Sequence, residues 1–286
     1  MPSLIDIRRR IRSVRNTQQI TKAMKMVSAA KLRRAQERAI ESRPYAQMMA
    51  RMLSNVAAAA AQSDTLEDLP LLAVREEKRI QLIVVSSDRG LAGAFNSNLL
   101  RLVQRFIDDQ RSAEIRVEVI GKKARDYFRK RNLVVTGEHI GIVEKPSYDR
   151  AAEIADKMID LYRRAEVDAV YIAVNEFKNV MSPNLVLKKV LPVKMPEGGE
   201  QIDYIYEQPP AEMLRELLPR YVEMEIYRAM LESNSAEHAA RMTAMDTATN
   251  NAADVIYSLT LNLNRVRQAT ITKEIIEIVS GAAALG

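Results

Sequence analysis

Cysteine and tryptophan are both missing from this 286-residue sequence. Without cysteine the chain has no disulfide framework, no thiolate zinc site and no cysteine nucleophile. No stretch approaches the ~18 consecutive apolar residues that a membrane-spanning helix requires. The first residues, Met-Pro-Ser followed by charged residues, lack the pattern of a signal peptide, which makes cytoplasmic residence the expectation. With 47% hydrophobic and 28% charged residues, the chain can still bury a core of one or two domains.

Glycine and proline avoid both ends of the chain over long distances. None of the nine glycines lies in residues 1–89 or 200–280, and proline is absent from residues 3–43 and 220–286. These two residues disfavour a helix interior more strongly than any others. We therefore predict long helices at both ends and a turn-rich globular domain between them.

Apolar residues at both ends recur with the spacing of a helix. The N-terminal stripe begins at Leu4, Ile7, Ile11 and Val14, with Ser3 as a candidate cap, and then drifts through Ile20, Met24, Val27, Ala30 and Leu32. At the other end Pro209-Pro210 favours a helix start, and a stripe continues from Leu214 to Leu285. Two heptad-like helices that flank one domain predict an antiparallel coiled coil. Two helices that pack on a globular core would explain the stripes equally well.

The middle of the chain alternates between strand and helix patterns. Strands are predicted at residues 80–85, 115–119, 168–177 and 185–193, the last as an antiparallel neighbour. Helices are predicted after Asn96 and at about residues 122–131 and 148–165. This alternation predicts an α/β fold, a mostly parallel sheet with helices on its faces.

The sequence contains few candidates for catalytic chemistry. The loop from Gly90 to Gly93 lies between a strand and a helix, where anions bind, but it lacks both a Gly-Lys-Ser/Thr motif and a third glycine. A tight structural turn is favoured there over cofactor binding. His139 and His238 do not form a His-Glu-x-x-His pair, and no Gly-x-Ser-x-Gly motif is present. We predict no catalytic residue, no cofactor and no metal.

Positive charge is concentrated at the N-terminal end. Residues 1–51 carry 13 Lys and Arg against three acids, a net charge of +10 in a chain whose total is +6. The pattern indicates nucleic acid, lipid headgroups or an acidic protein surface as partner, and a solvated helix face accounts for it equally well. Tyr45 is the only aromatic residue in residues 1–94, so a stacking platform for single strands is missing. The arginines interleave with the apolar stripe, which favours a helix that meets acidic protein.

Two segments near opposite ends carry a specific resemblance. Residues 16–31 read NTQQITKAMKMVSAAK and residues 271–284 read ITKEIIEIVSGAAA. Both closely resemble signatures of the gamma subunit of F-type ATP synthases. Residues 86–96, SSDRGLAGAFN, and residues 239–245, AARMTAM, are similar to two further segments of that family. The four matches follow the family order across nearly the whole chain.

The resemblance implies an architecture and a mechanism. The implied fold is α/β, with a long antiparallel coiled coil of N- and C-terminal helices plus a Rossmann-like α/β domain. Its parts would be a coiled-coil helix in residues 1–75, the Rossmann-like domain in 76–205 and a second coiled-coil helix in 206–286. The coiled coil would turn inside a ring of alpha and beta subunits, and the globular end would stand on the membrane c-ring beside the epsilon subunit. Ion-driven rotation of this non-catalytic shaft would drive the beta subunits through open and closed states.

The resemblance also implies contact residues. The implied contacts with the beta subunits are Met24, Arg241, Arg265, Arg267 and Gln268, together with Arg8, Arg9, Arg10 and Arg12. Residues 271–285, with Ile275, Ile278, Ala282 and Leu285, would be an apolar tip that turns in a bearing. Tyr204, Tyr206 and Glu207 resemble the foot near the c-ring.

Two alternatives from other classes remain at this point. One is a basic helical-hairpin protein that binds DNA, and the other is a nucleotide-dependent enzyme that uses the loop from Gly90 to Gly93. The family interpretation instead predicts no bound nucleic acid and a position at the cytoplasmic face of a bacterial membrane. The lack of cysteine excludes the thiol switch of chloroplast relatives, and the lack of an organelle presequence favours a bacterial source.

Overall fold

The structure, a computed structural model, describes residues 3–60, 69–131, 133–179, 184–194 and 208–285. Within these residues helices and strands alternate between two long terminal helices. Their order is α1 (Leu4–Ala60), β1 (Arg79–Val85), α2 (Phe95–Asp109), β2 (Glu114–Ile120), α3 (Lys122–Arg129), β3 (Val134–His139), α4 (Tyr148–Arg163), β4 (Ala169–Glu176), β5 (Asn184–Leu191) and α5 (Pro210–Leu285). The predicted long helices at both ends are confirmed, and so is the α/β character of the middle.

Local sequence signals account for the starts of both long helices. The Ser3 hydroxyl accepts a hydrogen bond from the Ile5 backbone N–H at 3.2 Å, as a helix cap does. α1 then runs through Pro44 without ending. α5 begins at Pro210, where the fixed φ of proline suits the first helical position.

The buried face of α1 differs from the predicted one. The apolar stripe predicted after Val14 is confirmed at Leu32, which is 5% exposed, but it is wrong at Ile20 and Val27, which are 60% and 57% exposed. The buried line instead keeps a seven-residue repeat through polar side chains, and Thr21 and Ser28 are both buried. A seven-residue repeat keeps one line of positions on the same helix face, whatever residues occupy them. Thr21 tolerates burial because its hydroxyl donates to the Gln18 carbonyl at 3.0 Å.

The chain divides into two compact units, one of which is helical at every described residue except Ser3. It contains Met1–Ser28 and Met242–Gly286. The hydroxyls of Thr21 and Thr249 lie 2.7 Å apart, and the Lys25 ammonium lies 2.6 Å from the Asp246 carboxylate. Residue numbers rise along one helix as they fall along the other, so the two helices are antiparallel. The predicted antiparallel coiled coil is thereby confirmed.

The other unit, Ala29–Arg241, contains the sheet. The strand order is β3-β2-β1-β4-β5; β1 to β4 are parallel, and β5 is antiparallel to β4 as predicted. One face of the sheet packs against α4, the C-terminal part of α1 and the first turns of α5, and the other packs against α2 and α3. Strand β3 was not predicted, because it is a half-exposed edge strand without a strong apolar pattern.

Candidate partner-contact surface

The apolar end of α5 is exposed. Every side chain from residue 271 to residue 282 is exposed, including Ile275 at 55% and Ile278 at 71%. Ala282 lies in the same exposed stretch, and Leu285 ends the helix. Contiguous exposed apolar surface of this kind marks a site of protein–protein contact. This end of the helix can therefore be covered by a partner that buries its isoleucines.

The N-terminal arginines form a second exposed surface. Arg8, Arg9, Arg10 and Arg12 are all exposed, whereas Ile7 on the same turns is 2% exposed. Within the described part of the chain none of the four forms an ion pair, since the first pair along α1 is that of Lys25. Free guanidinium groups can bind carboxylates through two parallel hydrogen bonds, so this surface suits an acidic partner.

The remaining predicted contact residues fall into three groups. Arg265, Arg267 and Gln268 are exposed on α5, and Met24 is half-buried on α1. Arg241 differs, because its side chain is only 11% exposed and pairs with Glu237 at 2.5 Å. The guanidinium of Arg241 also donates to the Gly90 carbonyl at 3.3 Å. In the chain alone, Arg241 therefore joins α5 to the loop after β1. Tyr204, Tyr206 and Glu207 lie outside the described residues.

The pair of Glu237 and Arg241 offers a test of this internal role. Burial raises the pKa of Glu237, and the charge and hydrogen bond of Arg241 oppose part of that rise. We expect Arg241→Met to lower the free energy of unfolding by about 2 kcal/mol at pH 7, because a buried carboxylate loses its partner. Urea unfolding of the full chain measures the loss. Glu237→Gln combined with Arg241→Met should recover at least half of it, and a fully additive double variant would contradict the pairing.

A stretch of α5 covers the carboxyl edge of the sheet. All residues from 231 to 239 are buried, although most of them are polar. The Ser233 hydroxyl donates to the Val85 carbonyl at 3.5 Å, and the Phe177 N–H donates to the Glu232 carboxylate at 3.2 Å. Sequence patterns did not reveal this role of residues 232–238. The signal available was the polar run that interrupts the apolar stripe after Leu231.

The position of α5 bears on whether the loop from Gly90 to Gly93 is a nucleotide site or a structural turn. Ala236 of α5 packs against Ala92 within this loop and Phe95 just after it. In open α/β sheets, ligands bind in the crevice beyond the carboxyl ends of the strands. Here the chain's own helix occupies that crevice, which favours the predicted structural turn over a nucleotide site. Leu91 and Gly93 both have positive φ, as a tight turn requires.

Both histidines form contacts within the chain. His139 lies 2.8 Å from Glu118, and His238 is buried with its pKa lowered to about 4 by burial. His238 is therefore neutral near pH 7. Among the described residues, no group of three or more His, Cys, Asp or Glu side chains could hold a metal ion. None of the helices in the described ranges is both long enough and apolar enough to span a membrane.

Comparison with known proteins identifies relatives across the full length. The family model described as "ATP synthase" matches residues 3–285. A protein of Solibacter usitatus named ATP synthase gamma chain is 61% identical over 284 residues, which are 99% of each chain. A protein of the same name from Pelotomaculum thermopropionicum is 49% identical over 288 residues, covering 100% of both chains.

Solved structures show the same fold in rotary enzymes. A chain of the Tetrahymena thermophila mitochondrial ATP synthase central stalk/c-ring structure has a TM-score of 0.62 at 25% identity, covering 80% of this chain and 99% of that one. A chain of the Euglena gracilis mitochondrial ATP synthase rotor has a TM-score of 0.65 at 19% identity, covering 94% and 98%, and so shows the fold alone. Full-length identity, the long helices and the α/β unit agree: the chain belongs to the ATP synthase gamma-chain family.

Proposed function

We propose that this chain is the central rotor shaft of a bacterial F-type ATP synthase. It couples ion-driven rotation of the membrane c-ring to ATP synthesis and hydrolysis in the ring of alpha and beta subunits. The observation that carries the proposal is the 61% identity, over 99% of both chains, with an ATP synthase gamma chain. Nothing in the comparisons favours the DNA-binding alternative.

The exposed surfaces supply a physical mechanism for coupling. The apolar tip at residues 271–285 turns in a bearing formed by the ring, where non-directional apolar contact permits rotation. The arginines at residues 8–12, together with Arg265, Arg267 and Gln268, meet acidic surfaces of the beta subunits. Each orientation of the shaft stabilises one set of beta conformations over the others, since a partner shifts an equilibrium only through differential contacts.

The chain itself performs no catalysis under this proposal. Its α/β domain resembles a nucleotide-binding fold, but α5 lies across the crevice in which such folds bind ligands. ATP is therefore made and hydrolysed on the beta subunits. The chain acts at the cytoplasmic face of the bacterial membrane as a peripheral subunit beside epsilon.

The proposed roles are assigned to the segments predicted from the sequence. Residues 1–75 and 206–286 provide the shaft helices, and residues 76–205 provide the Rossmann-like domain. Tyr204, Tyr206 and Glu207 stand at the foot, where the shaft meets the c-ring. Met24 and Arg241 contribute to the contact with the beta subunits when the shaft is assembled.

A tagged purification from a native host tests the proposal. The complex is solubilised gently, and ATPase activity is measured on the eluate and on the isolated full chain. We expect subunits of the size of alpha and beta to co-elute with ATPase activity, and the isolated chain to be inactive. Elution of the chain alone, elution with nucleic acid, or turnover by the isolated chain would each contradict it.

A further inference from the structure

A groove between α2 and α3 lies on the face of the sheet opposite α4. It has a volume of about 770 Å³, which is within the range of small-molecule sites. Leu100 and Tyr127 line it together with polar and charged side chains. The cations along it are Arg101, Arg105, Lys123, Lys130 and Arg131. Five cations in one groove distinguish it from an ordinary mixed surface.

Most of these cations have no acidic partner in the chain. Arg101, Arg105, Lys123 and Lys130 are exposed, and none forms an ion pair within the described residues. Arg131 lies over the Tyr127 ring, with its guanidinium carbon 3.6 Å from the ring centre. Four of the five charges are therefore available to a ligand.

The two acids of the groove are already engaged. Asp126 accepts hydrogen bonds from Arg125 at 2.8 and 3.0 Å, and Asp108 accepts one from Gln104 at 3.0 Å. The bond from Arg125, supported by the charges of Lys122 and Lys123, lowers the pKa of Asp126. With five cations against these two acids, the groove carries a net positive charge.

The four unpaired cations lie in two rows, one along each wall of the groove. Arg101 and Arg105 are four residues apart on α2, so they lie on one face about 6 Å apart along the axis. Lys123 and Lys130 stand on α3 and at its end, seven residues apart, so they also share a face. A ligand that satisfies both walls must carry several negative charges spread over its length.

We propose that the α2–α3 groove binds a soluble oligophosphate, such as the phosphate chain of a nucleoside triphosphate. Two arginines present planar forks that match phosphate oxygens, and two lysines present point charges from the opposite wall. The same clustered-phosphate chemistry occurs in lipid headgroups, but an open groove between two helices suits a linear chain in solution. None of the groove residues is among the proposed contacts with the beta subunits or the c-ring foot, so the site stands whether or not the proposed function holds.

Titration calorimetry on the full chain tests the site, with tripolyphosphate as the probe. We expect one tripolyphosphate per chain, bound at least tenfold more tightly than orthophosphate. Arg101→Ala with Arg105→Ala, and separately Lys123→Ala with Lys130→Ala, should each weaken binding at least tenfold. The matched control is Arg163→Ala with Arg164→Ala, which removes two exposed charges from the end of α4 and should change binding less than twofold.

Three outcomes would overturn this proposal, and a fourth would support it. An equal loss in the control would mean non-specific attraction to a basic protein. A loss from only one pair of variants would exclude a ligand that bridges both walls. Binding to vesicles with anionic headgroups, without binding to tripolyphosphate, would assign the groove to a lipid surface. ATP competing with tripolyphosphate would support the nucleotide chain as the natural ligand.

Discussion

Replacing Lys157 by methionine is expected to lower the free energy of unfolding by about 3–5 kcal/mol. The Lys157 ammonium donates to both carboxylate oxygens of Glu118, at 2.7 and 2.9 Å. The Glu118 side chain is completely buried in β2, so the substitution leaves a carboxylate in the core with less compensation. Urea unfolding of the full chain at pH 7 measures the difference.

The setting of Glu118 explains the size of this effect. Burial by itself raises the pKa of Glu118, but hydrogen bonds from His139, Lys157 and Thr136 outweigh it and hold the pKa below its usual value. The Thr136 hydroxyl lies 2.7 Å from the carboxylate. A Cβ at Gly137 would lie 2.0 Å from the same carboxylate, so only glycine fits beside it. The burial of a charged Glu118 therefore depends on these three hydrogen-bond donors and on the glycine at position 137.

The sign of the pH dependence follows from that lowered pKa. In the native chain, the stability contributed by Glu118 is present above its unfolded pKa and is lost as the pH falls through its lower folded pKa. Without Lys157 both its hydrogen bond and its charge are lost, so we expect the folded pKa of Glu118 to rise. The stability gap between Lys157→Met and the native chain should then narrow as the pH falls through the raised folded pKa of the variant.

A double variant separates lost pairing from lost packing. Glu118→Gln combined with Lys157→Met removes both charges, and we expect it to regain at least half of the stability lost by Lys157→Met alone. Strictly additive effects, or a loss below about 1 kcal/mol for Lys157→Met, would show that the two groups do not depend on each other.

Placing aspartate at both Ile275 and Ile278 is expected to weaken assembly with alpha and beta subunits by more than 100-fold. Burying each isoleucine contributes about 1.5–3 kcal/mol, so two contribute at least about 3 kcal/mol. The isolated chain should keep its stability within ~0.5 kcal/mol, because both side chains are already exposed in it. Reconstitution with alpha and beta at graded concentrations, read by ATPase activity, measures assembly.

The matched control makes the same chemical change elsewhere. Ile40 and Val74 are 57% and 84% exposed, so Ile40→Asp with Val74→Asp adds the same charge at similarly exposed apolar positions. This pair should leave assembly with alpha and beta within about threefold. If the Ile275 and Ile278 variant assembled normally, the tip would not be part of the contact surface. If the control lost assembly equally, the loss would be a general effect of added negative charge.

The sequence by itself determined the family and all of the helices and strands except β3. The long stretches at both ends that are poor in glycine and proline become α1 and α5, and the apolar run in β1 becomes a central strand, because backbone sterics and side-chain periodicity act locally. Local signals also placed the helix starts at Ser3 and Pro210. The exposed tip residues Ile275 and Ile278 were found through the family segment that contains them.

Tertiary structure alone decided which polar groups are buried and what they contact. Lys157 meets Glu118 from 39 residues away, and Arg241 reaches Gly90 from 151 residues away. The cations of the α2–α3 groove come from two helices separated by a strand. The periodicity of one segment cannot reveal such pairings, because burial depends on which distant element covers a face. For the same reason the polar line through Thr21 and Ser28 is buried, while Ile20 and Val27 remain in water.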